Sequence, residues 1–437
     1  MYFFMCCKFV ANIKKYAKQY LFIIYLLPQV NNMGTKRILV YTENYPYGSG
    51  ETFLESEALF LCKTFDEVVF IPLWGDGEQR ILPSNAKITQ PMLDFNPKGN
   101  AKLVMRGVFS KAPILFPIPE FFREKVYKSK ARLWDFLTSL FLMRAVYPTM
   151  KKQISQNDLA YFYWGNKSVL SFALLKLRGI VDNVGVARFH GSDLYEYARG
   201  SGYFPFRRLL FSQIDVAVAI SESGKKYLID HYGDFAPKNV EVHRLGVFDN
   251  GWNPQKNNDS FHIVSCSSIV PVKRLELLAK AIGMLDFKVS WHHIGDGPNR
   301  ASVEALMNVY SDNISATLLG IMPNSQVMEY YRNHHVDLFV NVSASEGVPV
   351  AVMEALSFGI PVLATNVGGT SEIVDDSVGK LIDSDISPEQ LAKEITCFYE
   401  NSSVVGSFKP RDRWKERCNA DNNYKVFCER LMEIFKY

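Results

Sequence analysis

Several things are missing from this chain. It has no C-x-x-C pair and no Cys/His spacing suited to a metal. Its seven cysteines, Cys6, Cys7, Cys62, Cys266, Cys397, Cys418 and Cys428, are scattered and odd in number. That pattern excludes a disulfide scaffold and a zinc module, and it fits a reducing, cytoplasmic compartment. Long apolar runs are missing too. The longest uninterrupted one, YLFIIYLL at 20–27, falls well short of the roughly 20 residues that cross a bilayer. Excess charge of one sign is absent: 49 Lys and Arg face 45 Asp and Glu, a net +4, so no nucleic-acid partner is expected. No G-x-G-x-x-G follows the first strand. GSGETF lacks the third glycine, and no acid follows at the ribose distance, which disfavours a dinucleotide oxidoreductase.

What is present suffices for sizeable cores. Hydrophobic residues make up 48% of the chain, and 437 residues accommodate two domains of about 150–200 residues each. From Lys36, RILVYTE reads as a buried strand, YPYGSGE as a glycine loop, TFLESEALFLCKTF as a helix and EVVFIPLW as the next strand. LAYFYWG, VGVARFHGSDLYEY and DVAVAISESGKKYLIDHYG repeat the pattern. HRLGVFDNGWNPQKNNDS (243–260) reads as an interdomain linker. FHIVSCSSIV then restarts a strand–helix series, the signature of a parallel α/β sheet. Residues 1–32 are apolar and basic. Met33 is the expected natural start, with 1–32 an extension; a basic interfacial helix on a membrane is the rival reading.

SEGVPVAVMEAL (345–356) poses the sharpest question. It places Glu346 and Glu354 eight positions apart in a segment that otherwise reads as core. VDLFVNVSAS before it is a strand, and VAVMEALSF a helix that stops at Gly359. Glu346 therefore lies at the carboxyl end of a strand, where open parallel sheets bind ligands. Glu354 lies in an apolar helix, where an unpaired carboxylate is costly. The amides of Gly347, Val348 and Val350 make an anion site at the helix start; Pro349 has no N–H to give. Amides for a phosphate and carboxylates for hydroxyls suit a nucleotide sugar. The alternative is structural: dipole compensation by Glu346 and an internal partner for Glu354.

Residues 98–152 stand apart, with twelve Lys and Arg against three Asp and Glu among Phe, Trp, Tyr and Leu. Such a mixture suits peripheral contact with an anionic membrane. A helical insertion with a solvated basic face is the other reading.

SEGVPVAVMEALSFGIPVLATNVGGTSEIVDDSVGKLID, IVPVKRLELLAKAI, HHIGDGP and LLGIMPNSQVMEYYRNHHVDLFV, with YPYGSGETFLESEAL and RFHGSDLYEY in the first half, resemble the retaining glycosyltransferase family 4. The wording is similar to members that build bacterial surface polysaccharides. The resemblance implies the GT-B fold: α/β, two Rossmann-like parallel-sheet domains facing across a cleft. Residues 33–247 would bind the acceptor and 258–410 the nucleotide sugar. Residues 411–437 would form a C-terminal helix, crossing back to the first domain.

It also implies roles. Glu354 would bind ribose hydroxyls. Glu346 would hold a sugar hydroxyl near the reacting centre. Gly347, Val348, Pro349 and Val350, with Gly295, Gly297, Gly368 and Gly369, would surround the sugar and phosphates. Lys273 would stabilise the departing diphosphate, with Arg274 adding a forked contact or lying on the surface. His190 would face the donor sugar, and Gly48 and Gly50 the acceptor and phosphate side. The family places an arginine five positions before the lysine, where this chain has Ser268; Arg244 is the candidate replacement.

No metal and no cofactor are expected, the nucleotide diphosphate sugar being the donor substrate. Asp383-Ser384-Asp385 forms a D-x-D, read as helix capping before Ser387-Pro388. The acceptor is expected to be a glycan or lipid-linked glycan, and the place of work the cytoplasm or the inner face of the cell membrane. A sugar-nucleotide epimerase of similar fold and an inactive binding subunit are the alternatives.

Overall fold

A computed structural model describes residues 35–48, 50–96, 101–113, 118–256, 259–401 and 406–435. Residues 1–36 and 37–437 are separate units, and the fold concerns the second. The expected extension over 1–32 lies outside the described residues.

Two all-parallel sheets follow one another along the chain. The first contains β1 (Arg37–Thr42), β2 (Glu67–Pro72), β3 (Ala86–Ile88), β4 (Leu159–Phe162), β5 (Gly185–Phe189), β6 (Val216–Ala219) and β7 (Val240–Val242). Their order is β3-β2-β1-β4-β5-β6-β7. The second contains β8 (Phe261–Cys266), β9 (Val289–Ile294), β10 (Ile314–Gly320), β11 (Leu338–Asn341), β12 (Val362–Thr365) and β13 (Gly379–Ile382), in the order β10-β9-β8-β11-β12-β13. LAYF of β4 and VAVA of β6 are buried along their whole length. Helices on both faces of a parallel sheet demand such continuous apolar runs. Strand order reverses between β1 and β4 and between β8 and β11. Loops leaving those strands diverge there and open a crevice.

The C-terminal helix Ala420–Phe435 packs against helix Thr52–Thr64 of the first domain. Tyr424 lies 5.9 Å from Phe60, and Phe427 lies 5.5 Å from Tyr161, ring centre to ring centre. Beside this crossing, the linker bonds to the returning chain: Val247 N–H donates to Cys418 O (2.8 Å) and Ala420 N–H to Val247 O (3.1 Å).

Within 98–152, helices span Ala101–Val108, Ile118–Arg123 and Lys130–Gln153. Two of the basic residues are structural rather than solvated. Arg144 is buried and donates to the carbonyls of Gly107 and Ala112 at 2.8 and 3.0 Å. Arg132 donates to the carbonyls of Glu124, Ser201 and Gly202. Met105, Phe109, Phe122 and Trp134, by contrast, are exposed apolar side chains.

Candidate active site

The site sits where the two crevices face each other. On the second domain, the loop after β8 ends in a 3₁₀ turn, Pro271–Lys273, and the loop after β11 carries Glu346. Ala344 N–H to Val272 O, at 2.8 Å, ties the loops together. Lys273 Nζ donates to Glu346 Oε1 at 2.6 Å. Gly347, Val348 and Val350 line the same cleft, a cavity of about 350 Å³, and Pro349 is the N-cap of helix Val350–Ser357.

Glu354 lies in that helix and is buried. It opens on a smaller adjoining cavity of about 80 Å³, which shares Phe53 and Val350 with the main cleft. Its Oε1 accepts from Asn324 Nδ2 at 2.6 Å. Burial pushes the Glu354 carboxyl up to about 7, and the Asn324 contact offsets only part of this.

The first domain closes the cleft with His190, at the end of β5. Its ring is buried, 4.5 Å from the Trp164 ring and 4.8 Å from Tyr163. Both ring nitrogens lack a hydrogen-bond partner among the described residues. Burial, and then the Arg188 charge, push its pKa well below the ordinary histidine value, so the imidazole is neutral. Asp193 holds the turn: its Oδ1 accepts the His190 N–H at 2.6 Å and its Oδ2 the Gly165 N–H at 2.7 Å. The two domains meet backbone to backbone here. A Cβ on Gly191 would lie 2.6 Å from the Gly347 nitrogen, so neither position admits a side chain without movement.

Four of the glycines expected beside the donor also buttress the loops that carry Glu346 and Lys273. Gly368 adopts φ +56°, and a Cβ there would lie 1.8 Å from Glu346 O. Gly369 N–H donates to Gly347 O at 2.7 Å. Gly295 and Gly297 press on the loop before Lys273: a Cβ would meet Ser267 O at 1.9 Å and Ile269 O at 2.4 Å, respectively. These four glycines set the positions of Glu346 and Lys273.

The arginines are committed elsewhere. Arg274 donates to Val342 O (2.7 Å), Ser343 O (3.4 Å) and Ser384 O, bracing the β11 loop against the turn after β13. Arg244 Nη2 pairs with Glu372 Oε2 at 2.8 Å. Neither lines the cleft. Asp383-Ser384-Asp385 forms that turn, but the helix cap is Ser387 itself, in a reciprocal box with Gln390.

The Gly48–Gly50 loop also departs from expectation. The amides of Glu43, Asn44 and Tyr45 do converge on an anion, but it is the chain's own Glu51, at 2.9, 2.8 and 2.6 Å. Trp164 Nε1 donates to the same carboxylate at 2.6 Å. Gly48 and Gly50 line neither cavity. Trp164, Phe53, Asp193 and Asn324 belong to the site and were not singled out from sequence. YFYWG and HGSD carried the first and third; nothing local marks Phe53 or Asn324.

Residues 249–420 match the family model described as glycosyl transferases group 1. The chain is 28% identical over 257 residues to the O-antigen biosynthesis glycosyltransferase WbnH of Escherichia coli, covering 58% of this chain and 69% of that protein. It is 25% identical over 252 residues to the amylovoran biosynthesis glycosyltransferase AmsK of Erwinia amylovora, covering 55% and 61%. Among solved structures, Anabaena HepE in complex with UDP and glucose superimposes with a TM-score of 0.61 at 15% identity, over 91% of this chain and 100% of that one. The likeness to that structure concerns the fold.

Proposed function

We propose, from the match of residues 249–420 to the glycosyl transferases group 1 model and from the relatives named as glycosyltransferases, that this chain is a retaining, metal-independent glycosyltransferase of bacterial surface-polysaccharide assembly. It moves a sugar from a nucleotide diphosphate sugar to a lipid-linked glycan. One observation carries this reading. Glu346 and Glu354 reach two adjoining cavities on either side of one helix N-terminus.

A donor laid across that helix start has a partner for each part. The ribose hydroxyls donate to Glu354, which Asn324 orients. The diphosphate meets the amides of the loop and helix start. Lys273, held by Glu346, stands where negative charge develops as the diphosphate leaves. The sugar lies under His190, whose neutral ring has a donor and an acceptor nitrogen to offer its hydroxyls. The acceptor hydroxyl attacks on the face from which the diphosphate departs. The bond from the anomeric carbon to the phosphate oxygen breaks as the new glycosidic bond forms, and the acceptor proton passes to the leaving phosphate.

The membrane side of the proposal draws on Met105, Phe109, Phe122 and Trp134, exposed on a basic helical segment. No helix among the described residues is long and apolar enough to cross a membrane. Peripheral attachment at the inner face of the cell membrane is the arrangement we propose.

The test is donor binding. A panel of nucleotide sugars, titrated calorimetrically in EDTA, should yield at least one binder that Glu354→Ala weakens tenfold or more. The pH dependence has a definite sign. Glu354 accepts ribose hydroxyls best when ionised, so affinity should rise from pH 6 to pH 8, through a pKa of about 7. Glu354→Gln should flatten that rise. Stability runs the other way. The folded-state pKa exceeds the unfolded one, so stability present at low pH is lost as pH climbs through about 7. Glu354→Gln should therefore be more stable than wild type at pH 8, by up to about 3 kcal/mol. Affinity independent of pH and of residue 354 would remove Glu354 from the donor site.

A further inference from the structure

Three aromatic rings meet on the first-domain side of the cleft. Trp164 and His190 both line it, with ring centres 4.5 Å apart, and Tyr163 lies 4.8 Å from the same imidazole. A working histidine usually takes its orientation from a hydrogen bond on one ring nitrogen. His190 has no such bond among the described residues, and Asp193 Oδ1, at 4.0 Å from Nδ1, is too far to make one. The Tyr163 hydroxyl has no partner among them either. Contact with the two neighbouring rings therefore sets the imidazole. Of those rings, Trp164 is the one tied by a hydrogen bond among the described residues: its Nε1 donates to Glu51 Oε1 at 2.6 Å.

Glu51 is placed for this hold. Its Oε1 also accepts the Glu43 N–H at 2.9 Å, and its Oε2 accepts those of Asn44 and Tyr45 at 2.8 and 2.6 Å. Four neutral donors on two oxygens call for a side chain that only accepts, which means a carboxylate. A carboxamide of the same length would turn its own N–H groups toward some of those donors.

The backbone points the same way. Glu51 stands just before helix Thr52–Thr64, yet its carboxylate does not cap that helix. Its φ is +52°, in the left-handed region that a residue with a Cβ enters at a cost. What that conformation secures is a tie between the loop after β1 and the ring that follows β4. Those are the two strands between which the order of the first sheet reverses.

We propose that Glu51 is a positioning residue for the transfer reaction, acting through Trp164 to fix the His190 ring over the donor sugar. This rests on the glycosyl-transfer reading above. The donor itself is held by the second domain, through Glu354 and the amides of the helix start. Glu51 therefore governs turnover rather than donor affinity.

The experiment uses the full chain with UDP-glucose, UDP-galactose, UDP-N-acetylglucosamine and GDP-mannose. Calorimetry in EDTA gives affinity, and release of free nucleoside diphosphate without acceptor gives kcat. Glu51→Gln keeps the length of the side chain. Trp164→Phe keeps a ring beside His190 while removing the N–H, and it spares the loop amides and the helix that carries Phe53. Each should lower kcat at least fivefold, with donor affinity within threefold of wild type. The double variant should be no more than threefold slower than the worse single variant, because both substitutions break one link. In protein carrying isotope-labelled tryptophan, the indole N–H resonance that Trp164→Phe deletes should move upfield in Glu51→Gln. A smaller loss of kcat in either single variant, a further loss in the double variant, a larger fall in donor affinity or an unmoved indole resonance would overturn the proposal. Failure of the donor reading appears separately, as absence of nucleotide-sugar binding in the wild type.

Discussion

Lys273→Ala should lower kcat by about 10²–10³-fold while donor affinity changes less than fivefold. The ammonium lies 2.6 Å from Glu346 at the mouth of the cleft, so its place is set before substrate arrives. In the ground state the diphosphate also has the loop and helix amides. As the bond to the sugar breaks, more negative charge gathers on the departing oxygen, and only a cation already in position responds without rearrangement. Neither neighbouring arginine substitutes: Arg244 is paired with Glu372, and Arg274 is spent on three carbonyls. Steady-state kinetics with a separate binding measurement distinguishes the two parameters. A kcat within threefold of wild type would mean that Lys273 serves only to orient Glu346.

The second large effect is on stability. Arg188 on β5 and Glu57 on helix Thr52–Thr64 form an ion pair in which both side chains are fully buried. Glu57 also accepts the Tyr161 hydroxyl at 2.7 Å, and the Arg188 guanidinium lies 4.2 Å from the centre of the Phe427 ring. Burial raises the Glu57 pKa, while Arg188 and Tyr161 act against that rise. Removing one partner leaves the other charge buried and uncompensated. Arg188→Leu should therefore cost about 3–5 kcal/mol, whereas Arg188→Leu with Glu57→Leu should cost much less. Urea unfolding followed by circular dichroism measures both. Equal destabilisation by the single and double variants would show that packing, not charge, dominates. Arg188 stands two residues before His190, so the single variant should also lose activity.

Much of the fold was legible because it rests on local pattern. Apolar runs such as ILVY and LAYF, short and bounded by polar residues, fit strands of a sheet covered on both faces. The glycine and proline positions of SEGVPVAVMEALSFG locate the helix that carries Glu354, and Lys273 and Glu346 do meet at its start. The rest depended on which groups become neighbours only after folding. Gly48-Ser49-Gly50 has the composition of an anion loop, yet the amides that converge on an anion are those of Glu43, Asn44 and Tyr45, and the anion is Glu51 of the same chain. Gly295, Gly297, Gly368 and Gly369 are glycines because backbone presses on backbone, which sequence alone does not separate from close approach to a ligand. Asn324 reaches Glu354 across 30 positions and leaves no local trace.

The central claim is that this cleft transfers sugar from a nucleotide donor with its configuration kept. In the absence of acceptor, water should attack the bound donor slowly on the same face. Proton NMR of freshly released sugar, recorded in EDTA before mutarotation, reads that outcome directly. The account predicts that the first anomer to appear has the donor's configuration, and that Lys273→Ala suppresses its formation. The opposite anomer appearing first, or release unaffected by Lys273→Ala, would contradict it.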